Sequence, residues 1–201
     1  MISSEQIKEL RDATGISIMQ CRKALEEANG DMEKAKVLLS KKGAEIAAKK
    51  ADRSLGAGRV VCYIHGNGLM GAMLELSSET DFVAKNEEFT ALAKELAMQV
   101  VATNPQYVKL EDVTEEERAK IKEMFIGDVD KSKPAEIQEK ILSGKMDAFL
   151  NEKILMEQPF IKNPDIKVKD LISGFIQKFG EKVEVVRYVR YVATIAKPAT
   201  C

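Results

Sequence analysis

An α+β architecture with a helical N-terminal bundle is predicted by three features of this 201-residue chain. Apolar residues recur at helical spacing through residues 1–53 and through the middle of the chain. β-rich runs are confined to one hairpin and one strand near the C-terminal end. Helices and strands are segregated rather than alternating, which points to an antiparallel sheet packed on helices instead of a doubly wound parallel sheet. Hydrophobic residues make up 45% of the chain, enough for a real core. With no Trp and only 5% aromatics, that core is built from Val, Ile, Leu, Met and Ala.

The first helix opens at an S-x-x-Q box, Ser3 to Gln6, which can satisfy two free N–H groups, and stops at Thr14-Gly15. A second box, Ser17 to Gln20, opens a helix carrying Ile18, Cys21, Ala24, Leu25 and Ala28, ended by Asn29-Gly30. Asp31 caps a third helix with Ala35, Leu38 and Leu39 on one face, expected to end near Gly43. Residues 44–53 are rich in Ala and Lys and read as a solvated helical linker. The chain therefore divides into a three-helix bundle with its linker, residues 1–53, and an α+β core, residues 54–201. Arg59–His65 and Met70–Ser77 flank the turn His65-Gly66-Asn67-Gly68 and form a β-hairpin. Phe89, Leu92, Ala93, Leu96, Ala97 and Val100 make one helical stripe, ended by Asn104-Pro105. Thr114–Phe125, Pro134–Leu142, Lys145–Met156 and Val168–Phe179 are further helices, the last stopped by Gly180. Glu184–Ile195 is the final strand. The hairpin and the final strand are apolar on both faces (Val183, Val185, Val189 and Tyr191 against Val186, Tyr188 and Val192). One face can pack on helices; the other asks for a second sheet, which a homodimer would supply.

Lys+Arg 31 against Asp+Glu 32 leaves a net charge of −1, without the basic excess of a general nucleic-acid coat. No apolar run approaches the roughly 20 residues of a membrane span, and the N-terminus does not read as a secretory signal. Three cysteines without a CxxC pair suit neither a disulfide framework nor a zinc site, so a reducing cytoplasmic setting is expected. Gly66-x-Gly68-x-x-Gly71 matches a dinucleotide fingerprint in letters only, because it leads into a strand and not into a helix N-terminus. Asp128-Val-Asp130-Lys-Ser132 with Glu139 resembles a calcium loop, but Lys133 stands where the sharp turn needs Gly, so a polar interhelix loop is expected. His65 is the single histidine, and no catalytic set can be assembled around it. No metal or cofactor is expected. In Thr80-Asp81-Phe82-Val83, one reading has Thr80 or Asp81 capping a helix and Phe82 in the core. The other has Phe82 protruding as an anchor for a partner's pocket. Ile16, Ile18 and Met19, followed by Arg22-Lys23, offer more apolar surface than a small bundle can bury, a plausible docking face.

Two signatures resemble one family. The first is Leu10-Arg-Asp-Ala-Thr14-Gly15, Met19-Gln-Cys21-Arg-Lys-Ala-Leu25 and Asn29-Gly30-Asp31. The second is Glu79-Thr-Asp-Phe-Val-Ala-Lys-Asn86. The His65–Gly68 turn, Ala97-Met-Gln-Val, Gln158-Pro159-Phe160 and Gly180-Glu-Lys-Val extend the likeness over nearly the whole chain. On these motifs the sequence is similar to bacterial-type elongation factor Ts, the guanine nucleotide exchange factor of elongation factor Tu. The resemblance implies a ubiquitin-associated-type bundle that docks on the nucleotide-binding domain of elongation factor Tu through Ile18, Met19 and Arg22. It implies that Thr80, Asp81, Phe82 and Val83 disturb the partner's magnesium site, with Phe82 entering between its helices. It further implies partner contacts at His65, Phe179 and Gly180, and homodimers among short members. The expected function is then release of GDP without bond chemistry, by a protein that is not an enzyme and that binds neither nucleic acid nor membrane. An RNA-binding accessory role, through Lys41-Lys42 and Lys49-Lys50, is opposed by the near-neutral charge and the lack of an aromatic–basic platform. A small metalloenzyme is opposed by the lone His and scattered Cys.

Overall fold

A computed structural model describes residues 2–66, 68–127 and 134–193. Residues 128–132 of the expected interhelix loop, Asn67 of the hairpin turn, Ile195 and Cys201 lie outside these.

The N-terminal bundle is α1 (Ser4–Thr14), α2 (Ile18–Glu27) and α3 (Met32–Lys49). Ser3 and Gln6 form the reciprocal capping box, and Gly15 closes α1 in the left-handed conformation at φ 69°. Ser17 caps α2 by accepting from the Gln20 N–H, but the Gln20 side chain does not return to the cap; it reaches the core instead. Leu10, Ile16, Cys21, Leu25, Ala35 and Leu39 form the bundle's own core. Ile16 is thus buried there and is not part of an exposed patch.

α3 does not stop near Gly43 but runs to Lys49. Gly costs a helix interior about 1 kcal/mol against Ala, but here it lets two helices meet. A Cβ on Gly43 would stand 3.1 Å from Gln177 Oε1 and 3.3 Å from the Ser173 carbonyl. Both belong to α8 (Val168–Phe179). Past that crossing, Ile46 and Ala47 pack on the main core, so one side of the expected linker is apolar contact rather than solvent.

β1 (Ala57–His65), β2 (Met70–Ser78) and β5 (Val183–Val192) form an antiparallel sheet in the order β1-β2-β5. Its inner face, from Val61, Leu74, Leu76 and Val185, packs on α5 (Glu87–Thr103) through Phe89, Leu92, Leu96 and Val100, and on α8 through Ile172 and Ile176. A register shift between Glu75 and Leu76 leaves Val186 unpaired opposite β2. The extra residue flips the alternation. Val185 is therefore buried and Val189 exposed, although strict alternation from sequence puts them on one face.

Two helices expected at Pro134–Leu142 and Lys145–Met156 are one, α7 (Ala135–Lys153), which pairs with α6 (Glu115–Ile126). Gly144 costs helix stability but meets nothing, and no proline breaks the run. A two-stranded ribbon that sequence does not announce, β3 (Pro159–Phe160) with β4 (Asn163–Lys167), follows. Gln99 of α5 holds it: its Nε2 donates to Gln158 Oε1 and the Pro159 carbonyl, and its Oε1 accepts from the Ile161 N–H at 2.8 Å.

Candidate functional site

The sheet end at Ser78 and Val183 carries the site. Just past β2, Thr80 leads into α4 (Asp81–Ala84) with extended backbone, φ −126° and ψ 159°. Its hydroxyl does not cap α4. It donates to Glu181 Oε1 at 2.7 Å, and the Thr80 N–H donates to Glu181 Oε2 at 3.0 Å. The Thr80 carbonyl accepts from the Ser78 hydroxyl at 2.9 Å. Beside it, a Glu79 carboxylate oxygen accepts the Lys182 N–H at 2.6 Å and the other pairs with Arg53 at 2.9 Å. The Lys182 N–H, with the Arg53 guanidinium adding to it, holds the Glu79 carboxyl below its ordinary range. The Lys50 ammonium donates to the Gly180 carbonyl at 2.6 Å. The chain after α3, the turn after β2 and the turn after α8 are thus tied at one point.

Phe82 is 82% exposed while its neighbours Val83 and Ala84 are buried. The reading of Phe82 as core is therefore set aside. Val83 roots the turn in the main core and presents little surface. Asp81 pairs with Lys85 at 2.5 Å, and that hydrogen bond holds its carboxyl below the usual value. Phe179 is half-buried against Phe175, and Gly180 ends α8 in the left-handed conformation at φ 71°, exposed beside the Thr80 turn.

The bundle side is displayed at the start of α2. Ile18 and Met19 are 56% and 76% exposed, and Arg22 is exposed and paired with Glu26 at 2.9 Å. Between them, Gln20 Oε1 accepts from Gln177 Nε2 of α8 at 2.8 Å. The next residue, Lys178, pairs with Glu88 at the start of α5 and reaches within 3.5 Å of where a Gly15 Cβ would sit. The C-terminal turn of α8 thus ties α2 to the start of α5, the helix that follows the Phe82 turn.

His65 is not brought to this place. It pairs with Met70, at the opposite end of the hairpin from the Ala57–Ser78 pair. Nine-residue strands at about 3.3 Å per residue set the two ends roughly 25–30 Å apart. There the exposed His65 Nδ1 lies 3.0 Å from the Tyr63 hydroxyl. Among the described residues no three His, Cys, Asp or Glu side chains come together as a metal cage, and no helix is long and apolar enough to cross a membrane.

The clamp residues Arg53, Glu79, Glu181 and Lys182 were not singled out by sequence reasoning. Glu79, Glu181 and Lys182 were marked only by lying inside recognised motifs, Arg53 by nothing but its place in the expected linker, and no spacing rule pairs Arg53 with Glu79 or Thr80 with Glu181, 26 and 101 residues apart.

Fold and site together define an α+β protein whose helical bundle and clamped turn each expose large apolar side chains. The chain belongs to the elongation factor Ts family, whose profile, described as "Elongation factor TS", matches residues 5–195. Elongation factor Ts of Moorella thermoacetica is 50% identical over 192 residues, covering 95% of each chain. That of Carboxydothermus hydrogenoformans is 49% identical over 192 residues, 95% of this chain and 88% of the relative. That of Thermotoga maritima is 50% identical over 190 residues, 94% and 95% respectively. The family name places the chain in translation elongation.

Proposed function

We propose that this chain is a cytoplasmic guanine nucleotide exchange factor that binds the GDP form of elongation factor Tu and promotes GDP release so that GTP can enter. The observation that carries the reading is Phe82: a large aromatic left exposed on a turn whose two sides are held by hydrogen bonds and buried aliphatics. An aromatic kept in place before binding loses little freedom when it enters a pocket. Magnesium in a nucleotide site bridges phosphate oxygens and neutralises their charge. A wedge that shifts the groups holding the ion weakens nucleotide retention without making or breaking a covalent bond. Phe82 is the wedge. Asp81 adds an anionic side chain beside it and gives up its Lys85 pair to act on the partner.

Residues 1–53 act as a docking bundle of the ubiquitin-associated type through Ile18, Met19 and Arg22, and residues 54–201 as the exchange and dimerisation core. Phe179 and Gly180 extend the Phe82 contact, while His65 touches the partner at a separate point. The outer sheet face supports a homodimer. Val60, Ile64, Met73, Val189 and Tyr191 are all exposed on it, an apolar surface that a second sheet would cover. The functional test is the rate of labelled GDP release from purified elongation factor Tu with and without the full chain. Acceleration that rises with the chain's concentration is expected; a rate unchanged at saturating chain would refute the reading.

A further inference from the structure

The geometry points to Glu181 as a positioning residue for exchange, one that sets the direction of Phe82 without touching its ring; this rests on the exchange reading of Phe82 above. Phe82 makes no packing contact sufficient to bury it, so its direction is inherited from the backbone on either side. On the C-terminal side Val83 and Ala84 are anchored by burial. On the N-terminal side the anchor is Thr80, whose hydroxyl and N–H both go to the one carboxylate of Glu181, while Ser78 holds the carbonyl. Glu181 follows Gly180, whose left-handed backbone turns the chain back from α8 toward β2. A two-point grip by one carboxylate on an N–H and an adjacent hydroxyl fixes orientation as well as distance. Without it, Thr80 keeps only its carbonyl contacts, and the short helix that carries Phe82 can pivot about Val83. A wedge that must enter a partner in one pose loses rate steeply when its pose is spread, on the order of tenfold or more.

The test uses the full chain and purified elongation factor Tu, reading labelled GDP release over a range of chain concentrations. Glu181→Ala is expected to lower the saturating rate about tenfold and to leave the half-saturating concentration nearly unchanged. The Thr80 amide should exchange its hydrogen faster, with the thermal midpoint close to that of the parent. Glu181→Gln should restore most of the rate, because its amide oxygen accepts the Thr80 N–H and its NH2 can donate to the hydroxyl oxygen. Phe82→Ala is run alongside. If Phe82→Ala is slow and Glu181→Ala is as fast as the parent, the exchange reading stands and the positioning role is overturned. A raised half-saturating concentration at an unchanged saturating rate would make Glu181 a direct partner contact, also overturning it. A Glu181→Ala chain that melts early would reduce it to a structural residue. If Phe82→Ala itself exchanges GDP like the parent, the underlying reading fails.

Discussion

Phe82 and Phe89 lie seven residues apart and have opposite surroundings: the first is largely in solvent, the second fully buried in the main core. Truncating a core Phe costs about 3–5 kcal/mol, so Phe89→Ala should lower the unfolding free energy on that scale. Phe82→Ala should leave it almost unmoved while catalysed GDP release falls by an order of magnitude or more. Thermal unfolding and nucleotide release on the two variants separate the roles; a Phe82→Ala chain destabilised like Phe89→Ala would return Phe82 to the core. Glu79 gives a pH-dependent counterpart. Its carboxyl is held below its ordinary value, chiefly by the Lys182 N–H and then by Arg53. Such a group binds a proton more readily in the unfolded chain. Its contribution to stability is therefore present above the unfolded value of about 4.3 and is lost as pH falls through the lower folded value. Glu79→Gln should unfold at lower urea than the parent near neutral pH, and the gap should narrow on acidification below about pH 4. A gap that stays constant with pH would mean that the carboxylate charge contributes nothing to this clamp.

At the level of elements, α8 is packed on two sides. Ile172 and Ile176 join the sheet's core, while Ser173 and Gln177 face Gly43 of α3. This decides how the bundle is attached. Removing residues 1–53 takes away Ile46 and Ala47, and the Lys50 and Arg53 ties to Gly180 and Glu79, along with the proposed docking surface. Fully burying an Ile side chain stabilises by about 1.5–3 kcal/mol, and Ile46 is only half-buried. The chain 54–201 is therefore expected to fold cooperatively, with a lowered thermal midpoint and weakened binding to elongation factor Tu. Calorimetry of that fragment checks the point; a fragment without a cooperative transition would mean that bundle and core fold only as one unit. α5 shows the same economy from its other side. Its apolar stripe meets the sheet, and Gln99, fully buried, turns its amide to the ribbon of β3 and β4. Replacing Gln99 by Leu would leave the Ile161 N–H and the Pro159 carbonyl without this partner, a loss of about 1–3 kcal/mol for each group left unsatisfied.

Across the whole molecule, the sheet has one face committed to helices and one open. Tyr188 is on the committed face: burial pushes its phenol well up, and its hydroxyl finds no partner. Tyr191, three residues on, is 68% exposed on the open face beside Gly71 and Ile64. Aspartate at each position separates the faces. Tyr191→Asp should yield a folded monomer with poor exchange activity, since an unpaired carboxylate in a sheet–sheet contact costs several kcal/mol. Tyr188→Asp should unfold the domain. Sedimentation of the parent at micromolar concentration decides whether the open face is covered at all, and a monomer there would rule out the dimer.

Much of this was legible in the sequence, because it rests on local rules. Caps at Ser3, Ser17 and Asp31, the left-handed stops at Gly15 and Gly180, and the stripe from Phe89 to Val100 are written in spacings of three and four residues. Hairpin turn chemistry and the Glu79–Asn86 motif are equally local. What sequence could not settle was whether Phe82 or Val83 faced inward, since a four-residue helix has too few positions to define a face. Nor could it show that Gly43 marks a crossing and not an end, because the reason stands on α8, more than 120 residues away. The bulge at Val186 is of the same kind: a strand's alternation is local, but the residue at which it slips depends on the partner strand. His65 and Gly180 both lie in motifs of one family, yet only the sheet register assigns them to opposite ends. Short-range hydrogen bonding and periodicity determined most of the elements; long-range packing, which no spacing encodes, decided which side chains were left exposed.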